Sequence, residues 1–168
     1  PRTALAELTV DGELHGVFTL VQQVDHRFLK DVYGTADNAD DGNLYKLYSN
    51  YDFGYLGPDA TPADYGDPVA ETGLVLKTNE DNPDHSGLFE FLEVLNNEPE
   101  ATFPEKIREV VDIERTLKFI AASAVTVHLD NYIGIGHNSY LYEVNGVVTP
   151  LVWDTNMAYG TFNLGIEK

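Results

Sequence analysis

The sequence has no cysteine, which excludes disulfides, thiolate catalysis and cysteine-based zinc sites. Basic residues are scarce. Only 10 Lys and Arg stand against 28 Asp and Glu, giving a formal net charge of −18. A nucleic-acid binder needs clustered Lys and Arg to meet phosphates, and no such patch is visible. No apolar run reaches the roughly eighteen residues that a membrane-spanning helix needs. Several motifs are also missing. There is no Gly-x-x-x-x-Gly-Lys-Ser/Thr and no Gly-x-Gly-x-x-Gly, so neither a P-loop nor a dinucleotide fingerprint is present. Nor is there a His-Glu-x-x-His or a Gly-x-Ser-x-Gly, the marks of a zinc protease helix and a nucleophile elbow.

What is present is enough for a real core: 43% of the 168 residues are hydrophobic and 11% aromatic. That length fits one domain or a piece of one. The chain opens at Pro1 inside what reads as a strand, without an initiator Met, so it is expected to be a segment of a longer protein. The acidic balance suits solubility, a salty environment or a basic partner.

Ala4 to Val10 and Leu14 to Val24 read as two strands joined at Asp11-Gly12, the second of them mostly buried. Asp25 can cap a short helix, His26 to Tyr33, that stops at Gly34. An acidic insertion covers 35–72, interrupted by a short strand from Asn43 to Tyr48. Its stretch from Ser49 to Thr72 has little periodicity, but Tyr51, Phe53, Tyr55 and Tyr65 argue that part of it packs down. Gly73 to Lys77 reads as a strand. Asp84 or Ser86 is placed to cap a helix from Gly87 to Asn96, whose Leu88, Phe91, Leu92 and Leu95 share one face. Pro104 suits the first turn of a helix ending at Val110. Asp112 caps a long helix from Ile113 to about Leu129. Its lower half, Phe119 to Val127, is apolar nearly all round and is expected to be buried and central. Strands first, then helices, then a hairpin give an α+β reading.

The chain after that helix is organised around chemistry. Asp130 closes the helix, and a Gly-interrupted loop carries His137 and Asn138. A hairpin then runs out from Ser139 to Val144, turns at Asn145-Gly146 and returns from Val147 to Trp153, delivering Asp154. Asn-Gly between β-rich runs is a strong hairpin signal, because both turn positions need φ > 0. Two carboxylates and a carboxamide at element ends can grip a hard cation and a phosphate. Each alone has a blander explanation, since Asp and Asn commonly form turns. His137 suits metal ligation or orientation of a carboxylate, though a lone loop His is more often structural. Trp153 suits core packing or a plate against a base. Lys46 and Lys77 lie in strand-like runs and can reach phosphate or solvent. Gly134 and Gly136 allow tight backbone approach.

Helix, loop Asp, loop Asn, hairpin, second Asp is an order that resembles the protein-kinase catalytic core. The spacings differ. Asn138 lies eight residues after Asp130, and Asp154 sixteen after Asn138, with no His-Arg-Asp at Asp130 and no Phe-Gly after Asp154. A closer resemblance covers nearly the whole chain. Leu8 to Lys30 resembles the Asn-Gly-x-x-x-Gly-x-Tyr-x-Leu-Val-Glu-Gln-Val-Asp signature of the spore-coat protein H (CotH) kinase family. Gly42 to Lys46, Leu76 to Glu80, Asp130 to Tyr142 and Trp153 to Gly160 resemble four further blocks in the same order. The chain departs from the signature at Asp11, Phe18 and Gln22, where Asn, Tyr and Glu are usual.

The resemblance implies an atypical, secretory-type protein-kinase fold. Residues 1–24 would form part of an N-lobe β-hairpin, and 25–168 a mostly helical C-lobe with a catalytic hairpin. It implies phosphorylation of protein Ser or Thr using ATP and Mg²⁺ or another divalent ion. By position, Asp130 matches the catalytic acid and Asp154 the metal-binding acid. Asn138 matches a metal ligand and Trp153 lies near the adenine. Gln22, Gln23 and Val24 belong to a hinge lining the base pocket, while Asn156 falls within the metal block. A basic residue that contacts phosphate is expected before Pro1. The resemblance places the protein outside the cell, at its surface or in a spore coat. The rival reading is a surface or coat module that keeps the fold for binding or assembly; a third is a structural cation site without nucleotide.

Overall fold

A computed structural model describes residues 1–48 and 51–162, so Ser49 and Asn50 of the expected insertion lie outside the described residues. The chain divides into two compact units, Pro1–Asp40 and the part from Asp41 on. The expected lobe boundary near Val24 falls inside the first unit.

In the first unit, β1 (Thr3–Val10) pairs antiparallel with β2 (Glu13–Val21) through a turn with positive φ at Asp11 and Gly12. β2 was expected to be mostly buried, but Leu14, Val17, Phe18, Leu20 and Val21 are all exposed. An apolar run says that a strand can be buried on both faces. A two-stranded ribbon has no neighbouring strands with which to build that layer. After the ribbon comes α1 (His26–Tyr33). Its start is fixed by the Asp25 carboxylate, which accepts from Phe28 N at 3.0 Å, and its end by Gly34 at φ 75°.

The second unit is built on a five-stranded antiparallel sheet in the order β4-β5-β3-β6-β7. Its strands are β3 (Asn43–Leu47), β4 (Gly66–Asp67), β5 (Thr72–Leu76), β6 (Ser139–Val144) and β7 (Val147–Val152). A one-turn helix, α2 (Pro62–Tyr65), precedes β4. Between β5 and β6 come α3 (Ser86–Asn97), α4 (Phe103–Val110), α5 (Ile113–Val125) and the one-turn α6 (Tyr132–Ile135). Tyr45, Leu47, Leu74, Leu141 and Val148 on one sheet face meet Leu88, Phe91, Leu92 and Val110 from the helices. Phe53 and Tyr65 join this core, so the aromatics of the insertion do pack down.

A buried carboxylate ties three of these elements together. Glu143 on β6 accepts from Asn43 Nδ2 at 3.1 Å and from Gly146 N at 2.9 Å in the hairpin turn. It also packs against Gly87 at the start of α3, where a Cβ would lie 2.6 Å from Glu143 Oε1. Burial raises the Glu143 pKa above the ordinary carboxylate range; the bonds from Gly146 and Asn43 oppose this.

α5 departs from expectation twice. It ends at Val125 rather than near Leu129, and only Phe119 and Ser123 are buried along it. Leu117, Ile120 and Val125 are exposed. The helix docks one face on β7, where its first turn is anchored by Asp112 N donating to Val148 O at 3.0 Å. Among the described residues no second layer covers the other face, so apolar composition alone overstated its burial.

Candidate active site

The segment between α5 and β6 is shaped by bonds that its own residues supply. Thr126 closes α5, its Oγ1 donating to Ala122 O at 2.8 Å. Val127 then takes φ 49°, a left-handed conformation that a β-branched residue rarely adopts. Asn131 is 1% exposed and works in two directions. Its Oδ1 accepts from Ile133 N at 2.9 Å, capping α6, and its Nδ2 donates to the buried Ser123 Oγ at 2.9 Å. α6 then passes so close to the preceding backbone that a Cβ on Gly134 would lie 1.8 Å from Leu129 O. Gly136, at φ 66°, ends it.

This fold-back sets Asp130, which is 8% exposed. Asn138 Nδ2 donates to Asp130 Oδ2 at 3.0 Å, and His137 Nε2 lies 3.3 Å from Asp130 Oδ1. One carboxylate oxygen is therefore hydrogen-bonded, and the other has an imidazole nitrogen within ion-pair distance. Of the two roles open to His137, its place beside Asp130 suits orientation of a carboxylate. An ionised carboxylate only accepts, so the Asn138 amide nitrogen must face it and Oδ1 is turned elsewhere. Asn138 sits at φ 49°, a conformation Asn tolerates better than most residues.

Strand register brings the second acid toward the same end of the sheet. β6 starts with Ser139 opposite Val152 of β7, so Asn138 and Trp153 occupy the next positions outward. Trp153 is half-buried, with its ring edge-on to Tyr140 at 5.5 Å. Asp154 follows at φ 52°, exposed, and its side chain makes no hydrogen bond or ion pair among the described residues. Asn156 is exposed in the next turn of 3-10 helix. The chain then returns to the end of α5: Tyr159 N donates to Thr126 O at 2.5 Å and Gly160 N to Val127 O at 3.3 Å. Asp130 and Asp154 thus both leave segments joined by these bonds.

Lys46 and Lys77 converge on one ring. Their ammonium groups lie 4.5 and 5.3 Å from the centroid of Tyr48, whose hydroxyl donates to Glu71 Oε1 at 3.2 Å. Lys46 is opposite Tyr140 across β3 and β6, so Lys46, Tyr140 and Trp153 share a face of the sheet. Burial, with Tyr48 nearby, pushes the Tyr140 pKa up to about 12 and keeps its phenol protonated at neutral pH. Tyr48 was not singled out in the sequence, although its place between the two lysines' strands was a usable signal. Asn131 and Ser123 were missed as well; a polar residue straight after the loop acid was the only hint.

Gln22, Gln23 and Val24 belong to the first unit. Gln22 accepts from Arg2 N at 3.0 Å and donates to Asp31 at 3.2 Å; Gln23 is exposed and Val24 buried. Among the described residues no three His, Asp or Glu side chains converge as a metal cluster. No described helix is long and apolar enough to cross a membrane. His128 is 2% exposed, and neither ring nitrogen has a hydrogen-bond partner among the described residues.

Residues 1–166 match the family described as CotH kinase protein, and the chain belongs to that family. It is also similar to the inner spore coat protein H of Bacillus subtilis (strain 168), with 24% identity over 162 residues. That match covers 95% of this chain but 42% of the relative, so the chain spans less than half of the relative's length.

Proposed function

We infer that the protein transfers the terminal phosphoryl group of ATP to a Ser or Thr hydroxyl of a protein, on a kinase-like fold. The observation that carries this reading is Asp130. It is a buried carboxylate, hydrogen-bonded by Asn138 on one oxygen and with His137 beside the other, at the sheet end to which a hairpin returns a second, unpaired carboxylate. Held this way, Asp130 orients an acceptor hydroxyl and takes its proton as the new bond forms. Such transfer depends on positioning and charge neutralisation more than on covalent chemistry.

The donor set fits a magnesium ion that arrives on nucleotide phosphates. Mg²⁺ prefers oxygen ligands and commonly takes one or two protein carboxylates, completing its shell with phosphate and water. Asp154 offers an exposed carboxylate without a partner, and Asn138 an amide oxygen turned away from Asp130. Bound there, the ion would neutralise charge on the phosphates. Lys46 and Lys77 add positive charge on the face they share with Trp153, the candidate contact for the base. The hinge role of Gln22, Gln23 and Val24 rests on family resemblance. So does a setting in a spore coat, which the relative's name supports.

Thermal unfolding of the full-length protein with Mg·ATP tests the reading. Ligand at a hundred times its dissociation constant stabilises by about 2.7 kcal/mol. The expected result is a rise in midpoint that requires Mg²⁺ and disappears in Asp154→Asn. No shift in the wild type at millimolar Mg·ATP overturns the nucleotide site and leaves a binding or assembly module.

A further inference from the structure

β5 is the last full strand on its side of the sheet. β4 is two residues long and is matched only to Thr72 and Gly73. Gly66 lies directly against the Leu74 backbone, where a Cβ would sit 2.3 Å from Leu74 O. Beyond that point the outer edge of β5 carries no strand among the described residues. Lys77 N donates inward to Leu44 O at 2.7 Å, so alternation turns the N–H and C=O of neighbouring Leu76 outward. Such an edge is a template for another chain.

A pocket of about 370 Å³ opens beside this edge. Pro62 and Ala63 of α2 form one wall, and Tyr45, Tyr65 and Leu88 are buried around it. His85 lines the pocket too. Its Nδ1 is 2.9 Å from Tyr45 Oη, and its ring stacks on Phe89 at 6.1 Å. With the phenol donating to Nδ1, the neutral ring carries its proton on Nε2 and keeps that donor for a ligand. Burial holds the His85 pKa below its ordinary value, so the ring is neutral at pH 7. The surroundings are strongly acidic. From Asp59 to His85 the chain has seven Asp and Glu against one Lys.

We propose that this edge and pocket form a docking groove for an extended, basic peptide of a partner protein. The peptide's main chain pairs with β5 at Leu76, and one apolar or aromatic side chain enters the pocket. Flanking Lys or Arg residues meet the acidic rim, which includes Glu80. Main-chain pairing with a side-chain pocket alongside is an established way of holding extended peptides, in which the pairing gives affinity and the pocket gives selectivity. The groove lies apart from Asp130 and does not depend on phosphoryl transfer, since a binding module would use it equally.

Fluorescence anisotropy tests this on the full-length protein. The probe is a labelled peptide of alternating Lys and Ser around a central Phe. A Glu-for-Lys version and a version N-methylated on both sides of the Phe serve as controls. Two variants act on exposed positions: Ala63→Trp fills the pocket, and Glu80→Lys reverses the rim charge. The basic probe is expected to bind, to weaken about tenfold or more with Ala63→Trp, to weaken less with Glu80→Lys, and to lose affinity on N-methylation. The acidic probe is expected not to bind. Circular dichroism checks that both variants keep the wild-type fold; should Ala63→Trp not, Ala63→Arg blocks the same wall. No binding of the basic probe, equal binding by the acidic one, or full binding by the pocket-filled variant each overturns the proposal.

Discussion

Asp130 illustrates how a residue of unremarkable type acquires a defined setting from its neighbours. A buried carboxylate bonded by Asn138, with His137 beside it, has lost the freedom that an exposed Asp has, and burial strengthens its polar contacts. Asp130→Asn keeps the shape but cannot take a proton. On the proposed reading, phosphotransfer falls by about 10²- to 10⁴-fold, while the thermal midpoint stays within about 4 °C. Steady-state turnover on a Ser-containing basic peptide, with a parallel melt, checks both. Gly134 makes the complementary case. Any Cβ there collides with backbone, which cannot swing aside as a flexible side chain can. Gly134→Ala is expected to cost about 1–3 kcal/mol, read as a lower denaturant midpoint at unchanged slope. Sequence reading had noted that this glycine permits close approach. It could not see that Asn138 would give its nitrogen to Asp130, because that bond exists only once the loop has folded back.

Elements were legible where a local residue dictates them. The hairpin from Ser139 to Val152 turns at Asn145-Gly146 with positive φ at both positions, as the dipeptide demands. α1 starts at its Asp25 cap and stops at Gly34 for the same kind of reason. α6 was not foreseen, since four residues including a glycine show no period, and only Asn131 and Gly136 at its two ends define it. Burial was the least legible property, as β2 and α5 show, because periodicity reports which face is apolar and not what lies over it. Glu143 links three elements and supplies a pH test. Its pKa is raised in the folded state, so the protonated form is favoured there. The stability it contributes is present below its ordinary value of 4.5 and is lost as pH rises through the folded value. The stability of the wild type relative to Glu143→Gln should therefore fall as pH is raised from about 4.5. A flat difference across urea titrations would remove this account.

At the scale of the whole molecule, charge and connectivity dominate. A net charge of −18 on 168 residues works against compactness through self-repulsion. Salt screens that repulsion, so the thermal midpoint should rise between about 0.05 and 0.5 M NaCl; a fall would mean that specific ion pairs outweigh the general field. Family membership was legible because the resemblance was spread over blocks along nearly the whole chain. The geometry of the site was less so, because its parts come from distant positions. The strained backbone at Val127, just ahead of Asp130, is held by Gly160, far later in the chain. This has a consequence for biosynthesis. While the ribosome is still making the hairpin, α5 can already form, but its end still lacks the two bonds from Tyr159 and Gly160. The segment leading to Asp130 gains those bonds only after residue 160 has cleared the exit tunnel, so on the proposed reading the site is complete only once the hairpin and its return have been made.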